Sequence, residues 1–155
     1  MADAGATRRR PERGVSPTAR LLVVEDETVN LALFRAVLER ALDLPSFLIV
    51  EARDLRSARN ALEEQDFDAV ILDIRLPDGD GLDLAREISA NRSGPGGRPR
   101  ILIMSASVAV GDRAAAVAAG GDAFLGKPFL PDQLIAELTS LVPEFRRAAP
   151  VTRSA

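Results

Sequence analysis

Short apolar runs and amphipathic stretches alternate along this chain. Leu21-Leu22-Val23-Val24, Ala69-Val70-Ile71-Leu72 and Ile101-Leu102-Ile103-Met104 are continuous apolar runs. Runs of that length read as strands buried on both faces. Phe47-Leu48-Ile49-Val50, after Pro45, and Ala123-Phe124-Leu125 are two shorter ones. Between the runs, apolar residues recur at helical spacing: Phe34, Val37, Leu38 and Ala41, then Leu55, Ala58 and Leu62, then Leu82, Ala85 and Ile88, and last Leu134, Leu138 and Leu141. Thr28 is placed to cap the first of these helices, and Asp54 opens the second. Pro131 and Asp132 start the last, which Pro143 stops. A further helix over about 111–119 is nearly all alanine, with Val117 as its large anchor and Gly120-Gly121 as its end. Five strands alternating with five helices predict a doubly wound α/β fold: a parallel sheet with right-handed crossovers.

Composition narrows the chemistry. The 155 residues suffice for one domain with a real core, and 46% hydrophobic content is ordinary for a globular chain. There is no cysteine and no histidine. Thiol nucleophiles, disulfides, imidazole acid–base catalysis and zinc sites with imidazole ligands are therefore excluded. The net charge of −3 argues neither for nor against an anionic partner. No apolar stretch reaches the roughly 18 residues of a membrane span, so no membrane insertion and a cytoplasmic location are expected. Residues 1–19, with Arg8-Arg9-Arg10, read as a disordered tail, 20–142 as the folded domain and 143–155 as a short C-terminal tail. Residues 91–99, rich in Gly and Pro, read as a surface link. No appended DNA-reading module is visible, and specific DNA binding is not expected.

The ends of the apolar runs carry the chemistry. The first ends in Glu25-Asp26, the second in Asp73, the third in Ser105-Ala106, and the last in Gly126-Lys127-Pro128. If the strands lie parallel, all four ends meet on one edge of the sheet, where such folds bind ligands. Carboxylates gathered there repel one another unless a cation sits among them, and oxygen ligands suit Mg²⁺. Each residue has a plainer reading: Glu25 and Asp26 as acids favoured at a helix N-terminus, Ser105 as a strand-end cap, Lys127 as an exposed lysine.

In order and spacing, Glu25-Asp26, Asp73 with Pro77 and Gly81, Ser105-Ala106 and Lys127-Pro128 resemble the receiver domains of two-component response regulators, over about residues 20–142. The resemblance implies a flavodoxin-like sheet of order 2-1-3-4-5, with strands 1 and 3 adjacent at the switch point. It implies that Asp73 accepts a phosphoryl group from a sensor histidine kinase or histidine phosphotransfer protein. Asp26 and Asp73 would ligate Mg²⁺, Glu25 would assist through water, and the Arg75 carbonyl would be a further ligand. Ser105 and Lys127 would hold phosphoryl oxygens, with the small Ala106 leaving them room. Phe124 stands where the family carries an aromatic switch residue, and reads equally as a core phenylalanine. Glu25 stands where the family more commonly has Asp.

The expectation is a stand-alone receiver, not an enzyme, that signals to an unknown downstream protein through a phosphorylation-dependent surface. A phosphorelay intermediate or phosphate sink, or an unphosphorylated scaffold, is the alternative. An aspartate-nucleophile phosphatase fits less well: Arg75 stands where its second aspartate belongs, and no histidine can replace it. Two decoys fail. Leu84 takes the third glycine of a dinucleotide motif begun at Gly79, and Leu82 and Asp83 break a calcium-loop pattern begun at Asp78.

Overall fold

The structure is a computed structural model, in which residues 19–42, 47–91, 97–106, 110–143 and 145 are described. Residues 1–18 of the expected 1–19 tail, 92–96 of the expected 91–99 link and 146–155 of the expected C-terminal tail lie outside the described residues, while Ala19, expected in the tail, is a buried part of the first strand. The elements run β1 (Ala19–Val24), α1 (Thr28–Ala41), β2 (Phe47–Ala52), α2 (Leu55–Glu64), β3 (Ala69–Asp73), β4 (Arg75–Leu76), β5 (Gly79–Asp80), α3 (Gly81–Ala90), β6 (Arg100–Ser105), α4 (Val110–Ala118), β7 (Ala123–Gly126) and α5 (Pro131–Leu141). The five long strands form a parallel sheet of order β2-β1-β3-β6-β7, which is the expected 2-1-3-4-5 order. The two-residue strands β4 and β5 pair antiparallel in a small hairpin that the hydrophobic pattern did not announce.

Alternation along the central strands sends side chains to two cores. Leu21, Val23, Ile71, Leu102 and Met104 pack with Leu31, Phe34 and Leu38 of α1 and Leu134 and Leu138 of α5. Leu22, Val24, Val70, Leu72, Ile101 and Ile103 pack with α2, α3 and α4 on the other face. Both faces being covered is why these strands read as unbroken apolar runs. Each fully buried Leu or Ile contributes about 1.5–3 kcal/mol. The core also takes in Phe145, which meets Phe47 edge-on at 6.2 Å and 79°.

Local expectations need correction at three points. Phe145, in the stretch 143–155 read as a tail, is fully buried in the core. Thr28 is the first residue of α1 rather than its cap; Glu27 takes the cap position and makes no side-chain cap. The Thr28 hydroxyl instead accepts from Arg53 Nη1 at 3.0 Å. Val117 does not anchor α4: it is 66% exposed, while Ala116 and Ala119 are buried against the sheet. The reason is close approach. A Cβ on Gly121, just beyond α4, would lie 2.6 Å from Ile103 Cδ1, so only small side chains fit between helix and sheet here. Gly120, at φ +97°, closes the helix. Its N–H donates to Val117 O at 3.0 Å and that of Gly121 to Ala116 O at 2.9 Å, the paired bonds of a Schellman turn.

Asp54 caps α2 as expected, in a reciprocal box with Ser57. Among the described residues no helix is long and apolar enough to cross a membrane.

Candidate functional site

The strand register assembles the site. Val24 lies opposite Leu72, so Glu25 and Asp73 leave neighbouring strands at the same level. Glu25 N–H donates to Ala52 O at 2.9 Å, which carries the pairing one residue past β1 and holds Glu25 down, 2% exposed. Asp73 lies opposite Met104, which puts Ser105 one step further along β6. Ser105 pairs with Gly126, and Lys127 N–H donates to Ser105 O at 2.7 Å. Glu25, Asp26, Asp73, Ser105 and Lys127 thus converge on the C-terminal edge of the sheet.

One oxygen from each of Glu25, Asp26 and Asp73 lies within 4.8 Å of the others. Lys127 Nζ donates to Glu25 Oε2 at 2.6 Å and to Asp73 Oδ2 at 2.9 Å. The ammonium therefore neutralises part of the repulsion that the sequence alone implied between these acids. Burial pushes the Glu25 carboxyl up, with the nearby Asp73 charge adding to this against the pull of Lys127. Burial by itself lowers Lys127, but its bonds to Glu25 and Asp73 outweigh that and hold it above the usual lysine range. Glu25 Oε1 also accepts from Glu27 N–H at 3.3 Å, and Asp73 Oδ1 from Arg75 N–H at 3.3 Å. Hard carboxylate oxygens grouped this closely fit a hard divalent cation.

Gly81 explains why the loop after Asp73 ends in glycine. A Cβ there would lie 2.1 Å from the Asp73 carbonyl oxygen, so the first residue of α3 seats directly on the backbone of Asp73. Its N–H donates to Ile74 O at 2.7 Å and closes the loop. Beside Lys127 a cavity of about 330 Å³ is lined by Asn30, Leu33, Phe34, Ala106, Pro128 and Phe129. Phe34 and Phe129 stack there at 5.4 Å. A cavity of about 440 Å³ between α2 and α3 contains none of the expected site residues.

Phe124 stands apart from the carboxylate cluster. It lies in β7 on the face covered by α3 and α4, with Arg113 of α4 over its ring at 5.4 Å. Two participants escaped the sequence reading. Arg113 gave no signal, since an arginine in an alanine helix reads as a solvated charge. Asp78 was visible only as part of a failed calcium pattern, although it bonds the start of α2.

The family description "response regulator receiver domain" matches residues 21–139. The chain belongs to that family. The receiver is 37% identical over 134 residues to the transcriptional regulatory protein TcrA of Mycobacterium tuberculosis, covering 86% of this chain and 48% of that protein. It is 32% identical over 138 residues to Protein PetR of Rhodobacter capsulatus, covering 87% of this chain and 54% of that one. The chain thus spans about half the length of the curated relatives it matches. Among solved structures, the receiver domain of sensor histidine kinase PA1611 from Pseudomonas aeruginosa PAO1 matches with a TM-score of 0.68 and 31% identity, covering 81% of this chain and 98% of that one. That structure has a magnesium ion coordinated in its active site cleft. A CheY-like receiver from Methanospirillum hungatei shares the fold with a TM-score of 0.69 at 24% identity, over 83% of this chain and 97% of that one.

Proposed function

We propose that this receiver takes a phosphoryl group on Asp73 from the phosphohistidine of a sensor histidine kinase or histidine phosphotransfer protein, and signals through a protein-binding surface that depends on that modification. The observation that carries the reading is the arrangement of two further carboxylates, Glu25 and Asp26, and the Lys127 ammonium around the Asp73 oxygens. An Asp73 carboxylate oxygen forms the new bond to phosphorus while the P–N bond of the phosphohistidine breaks, leaving imidazole and an acyl phosphate. Glu25, Asp26, Asp73 and the carbonyl of Arg75 are assigned to hold Mg²⁺, which supplies neutralisation of phosphoryl charge. Lys127 is already within bonding distance of Asp73 and neutralises a further oxygen. Ser105, at the end of β6, donates a hydrogen bond, and Ala106 leaves space beside it.

This reading places the domain in the cytoplasm, in reach of a kinase. It assigns the domain no specific DNA reading and no turnover chemistry of its own. Incubation with a small acyl-phosphate donor should add one phosphoryl mass in the presence of Mg²⁺ and none without it. Asp73→Asn should give no adduct, and a persistent adduct in that variant overturns the assignment. With a beryllofluoride mimic and Mg²⁺, backbone amide shifts should extend from Ala106 through β7. Shifts confined to the acidic pocket would point instead to a phosphorelay intermediate or phosphate sink.

A further inference from the structure

Asp78 sits in the turn of the β4–β5 hairpin, in which Arg75 pairs with Asp80 and Leu76 with Gly79. Its carboxylate reaches across to another element. Asp78 Oδ1 accepts from Leu55 N–H at 2.8 Å, and Oδ2 accepts from Arg56 N–H at 3.1 Å. These are the first two N–H groups of α2, which have no partner inside the helix. The third, of Ser57, goes to Asp54 Oδ1 at 2.7 Å, and the fourth, of Ala58, to Asp54 O at 3.1 Å. The helix start is therefore capped by two carboxylates with different consequences. Asp54 is local to α2, whereas Asp78 comes from 22 and 23 residues further along. Gly79 packs on the same spot: a Cβ there would lie 2.9 Å from Leu55 Cδ1.

At its other end the hairpin carries Arg75, whose N–H donates to Asp73 Oδ1 at 3.3 Å. We infer that Asp78 is a positioning residue for the phosphoacceptor site: it clips the hairpin onto α2 and so fixes Arg75 against Asp73. The inference rests on the reading above that the Arg75 carbonyl helps to hold Mg²⁺. A two-residue-stranded hairpin is marginal by itself. The bidentate contact to a helix N-terminus is charge-assisted and directional, and it supplies the constraint that the short strands lack.

The test compares Asp78→Ala, Asp78→Asn and Asp54→Ala with the wild-type chain. Mg²⁺ titrations are followed by amide shifts, and hydrogen exchange is measured in the metal-free protein. Asp78→Ala should weaken Mg²⁺ binding by about tenfold, the scale of losing an outer support of a metal site, and should speed exchange at Leu55, Arg56 and Gly81. Asp78→Asn keeps one acceptor oxygen and should recover most of the affinity. Asp54→Ala should lower the melting temperature and expose Ser57, yet leave Mg²⁺ affinity at the wild-type value. Equal weakening by Asp54→Ala and Asp78→Ala reduces Asp78 to a plain helix cap and overturns the proposal. Unchanged hairpin exchange in Asp78→Ala overturns it irrespective of the metal. Failure of the wild type to bind Mg²⁺ would instead sink the functional reading, while exchange still decides whether the clip exists.

Discussion

The sheet meets two very different supports, one beside β3 and one beside α4. On the β3 side, the strand tips are fixed by buried Val24 and Leu72, by Gly81 seated on the Asp73 carbonyl, and by the Asp78 contact to α2. On the α4 side, the described residues that pack against the sheet are Ala115, Ala116 and Ala119, and Arg113 reaches over Phe124. The first region buries large side chains and leaves no room for change. The second buries little apolar area, and elements of that kind open and shift at low free-energy cost. A phosphoacceptor site needs fixed geometry, while a responding surface needs two states separated by only a few kcal/mol. Under the proposed function, this contrast is what lets one sheet edge serve both needs.

The sharpest break of this contrast is a matched pair of truncations. Leu72→Ala should cost about 2–5 kcal/mol in denaturant unfolding followed by circular dichroism. Val117→Ala, although in the helix interior, should stay within about 0.5 kcal/mol because the side chain faces solvent. Equal losses would mean that Val117, and not Ala116 and Ala119, is the residue of α4 that packs against the sheet.

A pair of glycine substitutions comes next. Gly81→Ala forces a Cβ to within 2.1 Å of the Asp73 carbonyl and should cost about 1–3 kcal/mol, with weakened phosphorylation of Asp73. Gly111→Ala, with no atom within 4 Å of the added Cβ, should stabilise by up to about 1 kcal/mol. Thermal melts and intact-mass phosphorylation on both variants test the pair, and a neutral Gly81→Ala would refute the close seating of α3.

Arg113→Ala should destabilise the domain by about 0.5–1 kcal/mol, the scale of one exposed cation–π contact. Its more telling readout is local. Aromatic NMR signals of Phe124 should broaden or shift, while the amides of Asp73 and Glu25 stay in place. Shifts at Asp73 of equal size would show that the two regions are not separable.

The smallest effect concerns acid. Hydrogen bonds from Ser57 hold the Asp54 carboxyl below its usual range, and the Arg59 guanidinium does the same for Glu87. Because both folded values lie below the unfolded ones, the stability they contribute is present above the ordinary carboxylate range and lost as pH falls through the depressed values. Glu87 is exposed and Asp54 only half-buried, so the effect is slight and confined to α2 and its bridge to α3. Asp54→Asn keeps a cap without the titration and should flatten part of the acid limb of a melting-temperature profile. An unchanged acid limb would remove Asp54 from this account.

Much of the molecule was legible in the residues themselves. The apolar runs announced strands covered on both faces, and Glu25-Asp26, Asp73, Ser105 and Lys127 at their ends marked one sheet edge. Those features depend on local periodicity and on strand direction, which a linear pattern carries. The misreadings share a cause. Val117 looked like an anchor because it is the largest residue in its helix, but the distance between helix and sheet decided that alanine faces inward. Thr28 looked like a cap, but the backbone bend fell one residue earlier, at Glu27. Phe145 sat in a stretch read as tail, yet its ring closes the core against Phe47.

By itself, then, the sequence determined the alternation of elements, the parallel sheet and the identity of the charged groups at its edge. Tertiary structure alone decided how those charges are shared. The 2.6 Å contact joining Lys127 to Glu25 spans 102 residues, and the contacts of Asp78 with α2 span 22 and 23. No periodicity encodes such pairings, because they depend on where separate segments are brought within a hydrogen bond's length of each other by packing that the whole chain must complete first.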